Sequence, residues 1–243
     1  VGTVYDISQM AIASSLRDRH ERAGGCYEIA VADGARVCVR ALESADRDAL
    51  ARVFERLSER SRTQRFLGPK RQLTDRDLSR LSNIDHVRHE ALVAIDPADG
   101  SIIGVARYCK WPGRCGVAEL AGEVLDDWQG RGIGGELLAR IIERARANDI
   151  HKLTASAFSD NATALALLKR TGFTTTRRDY GVSELQLELV PPEPSRLGMH
   201  PYGTRCRDLH RNQLELGLFN ARAAGAAGVL QATRSPGRSG WLC

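Results

Sequence analysis

Apolar positions along the chain recur with two periods, and the order in which the periods alternate predicts a mixed α+β fold. Residues 28–32 and 37–42 carry strand-like runs around Asp33-Gly34, which reads as a hairpin turn. Ser44 is placed to cap a helix whose Leu50, Val53, Phe54 and Leu57 fall on one face. Residues 58–67 continue as a helix, and Thr74 caps another that carries Leu78 and Leu81. Strands at 90–95 and 101–109 follow, paired antiparallel around Pro97-Ala98-Asp99-Gly100. Residues 117–125 form the next strand, after which Leu137, Leu138, Ile141, Ile142 and Ala145 return to helical spacing. A strand at 153–158, a helix at 161–169 ended by Thr171-Gly172, and two short strands within 173–190 complete the pattern. Around this 30–190 domain, residues 1–29 read as a polar extension. Residues 191–243, opened by Pro191-Pro192-Glu193-Pro194, read as a basic, disordered-looking tail.

Between the strand at 117–125 and the helix after it lies Gln129-Gly130-Arg131-Gly132-Ile133-Gly134-Gly135. Glycines at 130, 132 and 134 permit left-handed backbone and close approach to a ligand, and the orphan N–H groups of a helix start suit an anion such as a pyrophosphate. The segment lacks a Gly-Lys-Ser/Thr ending, so the lysine and hydroxyl that grip a nucleotide's outer phosphates are missing. Nor does it open the first unit of a parallel sheet with an acid about 20 residues on, as a dinucleotide fold requires. Gln129-x-x-Gly132-x-Gly134 instead resembles the coenzyme A pyrophosphate loop of the GNAT N-acetyltransferases. The likeness extends over residues 35–190, and Arg170-Thr171-Gly172-Phe173 is similar to the family's usual passage from its last helix into its last strands.

That resemblance implies the GNAT fold, a mixed and mostly antiparallel sheet flanked by helices. It also implies transfer of an acetyl group from acetyl-CoA, as co-substrate, to an amine, with no metal. The coenzyme contacts it implies are Leu120, Ala121, Val124, Gln129, Gly130, Arg131, Gly132, Ile133, Gly134, Gly135 and Asn161. Asn161 is explained equally well as a plain helix N-cap.

Composition narrows the setting. A chain of 243 residues holds one domain of about 150–170 residues plus extensions. No apolar run of about 18 residues occurs, and no charged start precedes an apolar core, so neither a membrane span nor a signal peptide is expected and the chain reads as cytoplasmic. Of the net charge of +5, a balance of +4 lies after residue 190, where seven arginines face three acids, so nucleic acid is not the expected partner. Cysteines at 26, 38, 109, 115, 206 and 243 form no Cys-x-x-Cys pair and read as free thiols. His200, Cys206 and His210 match no familiar zinc spacing.

Acetyl transfer to an amine of pKa about 10.4 needs a base, because at pH 7 roughly one molecule in 2,500 is neutral. On the strand before the loop, Val117, Glu119, Ala121, Glu123 and Leu125 alternate with Ala118, Leu120, Gly122 and Val124. The two acids share a face about 13 Å apart, too far to serve one proton. Glu119 is the expected catalytic base, since a pantetheine arm leaving the phosphate loop runs well up the strand before presenting its thioester. It is also similar in position to the glutamate ten residues before the loop glutamine in bacterial protein-lysine acetyltransferases. Glu123 reads as a solvated carboxylate, and Gly122 as a bulge or splay that lets the arm lie between strands.

A backbone N–H near Leu120 or Ala121 would receive the oxyanion. Tyr180, a water or the product proton itself would protonate the leaving thiolate, and His86 and His89 read as structural or exposed. Ser58-x-x-Ser61-Arg62-x-x-Arg65-Phe66, with Asp85 and His89 ahead of Ala91-Leu92-Val93-Ala94, resembles the acetyltransferase domain of bacterial protein lysine acetyltransferases that modify acyl-CoA synthetases. The acceptor implied is a protein lysine. A small amine is the alternative, and an acyl-CoA-binding sensor without turnover is the rival from another class.

Overall fold

The computed structural model describes residues 25–32 and 34–189. The tail, the His200, Cys206 and His210 trio and most of the N-terminal extension lie outside the described residues. Among the described residues five α-helices, α1 (Arg47–Arg56), α2 (Glu59–Phe66), α3 (Asp75–Ser82), α4 (Ile133–Ala147) and α5 (Ala162–Arg170), flank one sheet. Its strands are β1 (Tyr27–Ala30), β2 (Arg36–Ala41), β3 (His89–Ile95), β4 (Ile102–Lys110), β5 (Val117–Val124), β6 (Lys152–Phe158), β7 (Thr174–Asp179) and β8 (Val182–Glu188). They lie in the order β1-β2-β3-β4-β5-β6-β8-β7. Neighbours run antiparallel except β5 and β6, which are parallel because α4 carries the chain back across the sheet between them. This is the mixed, mostly antiparallel sheet flanked by helices that the resemblance implied.

Register assigns every strand residue to a face. Gly104 of β4 and Val124 of β5 are partners on the face covered by α4, where a Cβ on Gly104 would sit 3.2 Å from Leu137 Cδ1. Leu137, Leu138, Ile141 and Ile142 of α4 are buried there, each stabilising the fold by about 1.5–3 kcal/mol. Arg107 of β4 belongs to the opposite face, where it is fully buried and donates from Nη1 to the Leu81 carbonyl of α3 at 3.0 Å. Helices α1 and α3 pack together on this second face, and α2 packs against both β5 and β6.

Local chemistry explains the helix starts. Thr74 accepts from the Asp77 amide at 3.2 Å while Asp77 accepts from the Thr74 amide at 2.9 Å, so the cap expected at Thr74 is reciprocal. Ser44 does not cap α1. It opens a 3-10 turn, Ser44–Asp46, in which Asp46 takes the Glu43 amide at 2.8 Å and the Arg40 guanidinium at 2.7 and 2.8 Å. Burial pushes the Asp46 carboxyl up, but those donors outweigh it and hold the group below the ordinary carboxylate range.

The cysteines also depart from expectation. Cys26 and Cys38 are joined in a disulfide across the first hairpin, and Cys115 is disulfide-bonded as well, so among the described residues Cys109 alone keeps a thiol. Among the described residues no helix is long and apolar enough to cross a membrane.

Candidate active site

Strand β5 runs into a 3-10 turn, Asp126–Trp128, and then into the glycine loop. Gln129 folds back so that Nε2 donates to the Val124 carbonyl at 3.0 Å. Arg131 donates to the Asp127 carbonyl at 2.9 Å and stacks its guanidinium 4.5 Å from the Trp128 ring centre, which leaves its backbone to shape the loop. Gly130 (φ +76°) and Gly132 (φ +94°) occupy left-handed conformations that a side chain would strain. Gly132 is the N-cap of α4, and its carbonyl takes the Gly135 and Glu136 amides at 3.0 and 3.2 Å. The amides of Ile133 and Gly134 are left without an acceptor among the described residues, as the first turn of a helix must leave them. A Cβ added at Gly130 or Gly132 would meet nothing within 4 Å, and at Gly134 only Leu167 Cδ2 at 3.4 Å and Val124 Cγ2 at 3.8 Å. The result is an open cradle of N–H groups on a helix N-terminus, fit for a pyrophosphate.

Asp126 fastens this loop to α2. Its carboxylate accepts from the Ser58 amide at 2.9 Å, the Ser58 hydroxyl at 3.0 Å and the Ser61 hydroxyl at 2.6 Å. Burial works against the ionised group, but these donors hold its pKa below the usual value. Two serines singled out as acceptor-side residues are therefore a clamp on the loop.

Strands β5 and β6 pair only as Val117↔Lys152, Ala118↔Leu153 and Glu119↔Thr154, whereas β5 and β4 stay in register as far as Val124. Beyond Glu119 the two parallel strands part, and residues 120–124 face 155–158 across a gap. Gly122 is no bulge, since its register with β4 is unbroken; a Cβ there would come within 2.9 Å of the Val105 carbonyl. Leu120 and Val124 lie on the α4 face, and Ala121 lies with Glu119 and Glu123 on the other. Asn161 caps α5, accepting the Ala164 amide at 3.1 Å. Tyr180 sits in the β7–β8 turn, 89% exposed, beyond the Phe158↔Val182 pair. That pair is four residues past Thr154, about 13 Å along the strand from the row that holds Glu119.

This row runs across four strands, His89–Cys109–Glu119–Thr154. Glu119 is largely withdrawn from solvent, and burial pushes its pKa up to about 7; Arg65 opposes the rise and Cys109 adds to it. A carboxylate so tuned can take up a proton near neutrality. Glu123 is not the solvated acid expected. Its carboxylate is bound by Arg65 Nε from α2, with the two side chains only 15% and 7% exposed. His86 Nδ1 lies 2.9 Å from the buried Glu90 carboxylate and His89 Nε2 lies 3.4 Å from Arg107 Nη1, so both histidines are in structural contacts. Sequence reasoning passed over Trp111, whose indole Nε1 donates to Thr154 Oγ1 at 3.2 Å.

Residues 51–173 match the Acetyltransferase (GNAT) family. The chain belongs to this family. Acetyltransferase PA5475 of Pseudomonas aeruginosa is 32% identical over 149 residues, which are 60% of this chain and 78% of that protein. The L-methionine sulfoximine/L-methionine sulfone acetyltransferase of Pseudomonas aeruginosa is 42% identical over 85 residues, 34% of this chain and 49% of that protein. The crystal structure of the GNAT domain of S. lividans PAT is similar with a TM-score of 0.63 and 27% identity, over 68% of this chain and 97% of that one. The GNAT protein described here is thus an acetyltransferase that takes acetyl-CoA as co-substrate.

The raised pKa carries a stability consequence with a definite sign. Glu119 holds its proton more tightly folded than unfolded, so folding stability falls as pH climbs from about 4.5 through about 7. In Glu119→Gln that loss is absent. The melting temperature of the variant relative to the parent should therefore rise between pH 5 and pH 8, and parallel melting profiles would show that the carboxyl is not shifted.

Proposed function

We propose that this GNAT acetyltransferase moves acetyl from acetyl-CoA to a primary amine on an alkyl chain, best fitted by the lysine side chain of a protein, with Glu119 as general base. The observation that carries this reading is the position of Glu119 at the apex of the parted strands, on the face opposite α4. A pyrophosphate on the Ile133 and Gly134 amides would send the pantetheine arm along the gap between β5 and β6, with its thioester arriving beside the last paired residues. The ammonium first gives a proton to Glu119, the freed nitrogen attacks the thioester carbonyl, the Leu120 or Ala121 N–H receives the developing oxyanion, and the C–S bond breaks as the nitrogen's second proton passes to water. The thiolate then leaves and takes its proton from water. With the base near pKa 7 rather than its ordinary value, proton transfer from an amine of pKa about 10.4 is uphill by about 5 rather than about 8 kcal/mol.

Charge supports this acceptor class. Arg65, the guanidinium that bears on Glu119, is already engaged by Glu123. A carboxylate next to the reacting nitrogen would meet two acids and a cation in use, whereas a nitrogen flanked by methylenes meets only the base. The resemblance carried by Ser58, Ser61, Arg62, Arg65 and Phe66 points the same way. An α-amino acid acceptor is the second reading, supported by the methionine sulfoximine acetyltransferase similar to residues of this chain.

Thiol release from acetyl-CoA separates the readings, with Nα-acetyl-L-lysine methylamide and L-methionine sulfoximine as acceptors. Release with the blocked lysine supports the proposal, and release with the amino acid alone overturns it. Glu119→Gln should lower kcat about 100-fold or more, with little change in acetyl-CoA affinity. Near-normal turnover in that variant would falsify the assignment of the base. Gly134→Asp, which places a carboxylate in the cradle where the side chain has room, should abolish acetyl-CoA binding in a folded protein. Calorimetry that finds unchanged affinity would remove the phosphate loop from this role.

A further inference from the structure

The loop that joins β4 to β5 ends the opening on its closed side. Trp111 takes the Val117 carbonyl through its amide at 2.9 Å, and its own carbonyl accepts the Arg114 amide at 3.2 Å. The Gly116 carbonyl receives both His151 and Lys152 amides, at 2.8 and 3.1 Å, so the loop is sewn to the start of β6. Gly116 has φ +65°, and a Cβ there would come 2.0 Å from His151 Nδ1, which leaves no room for another residue. A loop held at so many points presents its side chains in fixed positions.

Within it the Trp111 indole reaches Thr154 Oγ1, and Thr154 in turn reaches the Ala118 carbonyl at 3.3 Å. Thr154 is the register partner of Glu119, and neighbouring strands lie about 4.8 Å apart. The indole is therefore set beside the carboxylate at the apex, half-buried, with its polar edge spent on Thr154 and its ring carbons available. One face of the ring carries the exposed Arg114 guanidinium, 5.6 Å from its centre. That face already holds a cation, so the contact left for an acceptor is with methylenes rather than with an ammonium.

We infer that Trp111 determines acceptor specificity, its fixed indole forming the wall along which the alkyl chain of the acceptor lies while the nitrogen reaches Glu119. The inference rests on the acceptor reading above and deepens it by naming the residue that selects the chain.

Steady-state kinetics with Nα-acetyl-L-lysine methylamide and acetyl-CoA test it. Trp111→Ala should raise the KM for the blocked lysine about tenfold, the loss expected when about two methylenes lose their contact, with kcat at saturation within about threefold and acetyl-CoA KM within about twofold of the parent. Trp111→Phe keeps an aromatic ring on the wall while losing the N–H and the indole's second ring, and should return the acceptor KM to within about threefold of the parent. An unchanged acceptor KM in Trp111→Ala overturns the inference while leaving the acceptor reading standing. So does a rise shared equally by acetyl-CoA, or one as large in Trp111→Phe as in Trp111→Ala, because either marks a structural role. A parent enzyme that does not turn over the blocked lysine overturns the acceptor reading, and this inference with it.

Discussion

A sheet can part between two of its strands only if the polar backbone exposed by the parting finds partners elsewhere. Here β5 and β6 are joined over three residue pairs and then separate, and the parting is bordered by features that compensate for it. Gln129 returns to bond the Val124 carbonyl at the open end of β5, and helix α2 lies against both arms. At the closed end the Thr154 hydroxyl and the Trp111 indole tie β6 to the Ala118 carbonyl. The remaining edges of the gap have the geometry of a place for one more extended segment, with N–H and C=O groups ready for a polar chain.

Charge is distributed to match. On the α4 side Glu90 is buried with His86 and Arg144 against its carboxylate, a pairing that anchors α4 to β3. On the other side Glu119 shares its surroundings with an acid that has its own partner, so the Arg65 cation lowers the Glu119 pKa only in part and burial prevails. One acid is bound in an ion pair with Arg65, and the other has its pKa raised to about 7 by burial. Two glutamates four residues apart on one strand thus come to differ in chemistry through what α2 places beside them.

Much of this was legible in the residues. The glycine loop could be read because its conformations leave glycine as the residue of choice, and the strand order because hydrophobic period tracks secondary structure closely. Alternation put Glu119 and Glu123 on one face, and the reach of a pantetheine arm together with the family resemblance singled out Glu119. What escaped was every interaction that joins distant parts of the chain: Arg65 with Glu123, Ser58 and Ser61 with Asp126, Trp111 with Thr154. Local pattern sets which face a side chain takes, but not which helix will cross that face. The Cys26–Cys38 disulfide is different, because the hairpin was expected and its register, Glu28↔Cys38, puts the two cysteines on facing arms. Even so, that register sets Cys38 opposite Glu28 and not Cys26, so the bond runs on the diagonal and counting across the turn does not reveal it. Ser44 was misjudged because Asp46, two residues on, offers a stronger acceptor to the turn.

The stretch that carries the family likeness, residues 51–173, begins after β2 and stops before β7. Each end of the sheet is therefore supplied from outside it, by the β1–β2 hairpin at one side and the β7–β8 hairpin at the other. The first of these also reaches the glycine loop, where the Ala32 amide donates to the Arg131 carbonyl at 3.1 Å. A chain trimmed to the matched stretch would bare β3 and β6 as two new lateral edges, both rich in buried apolar residues and free of proline. Such edges recruit each other between molecules, so the outer hairpins act as selvedges: they keep a sheet that must stay open in its middle from joining its neighbours at its sides.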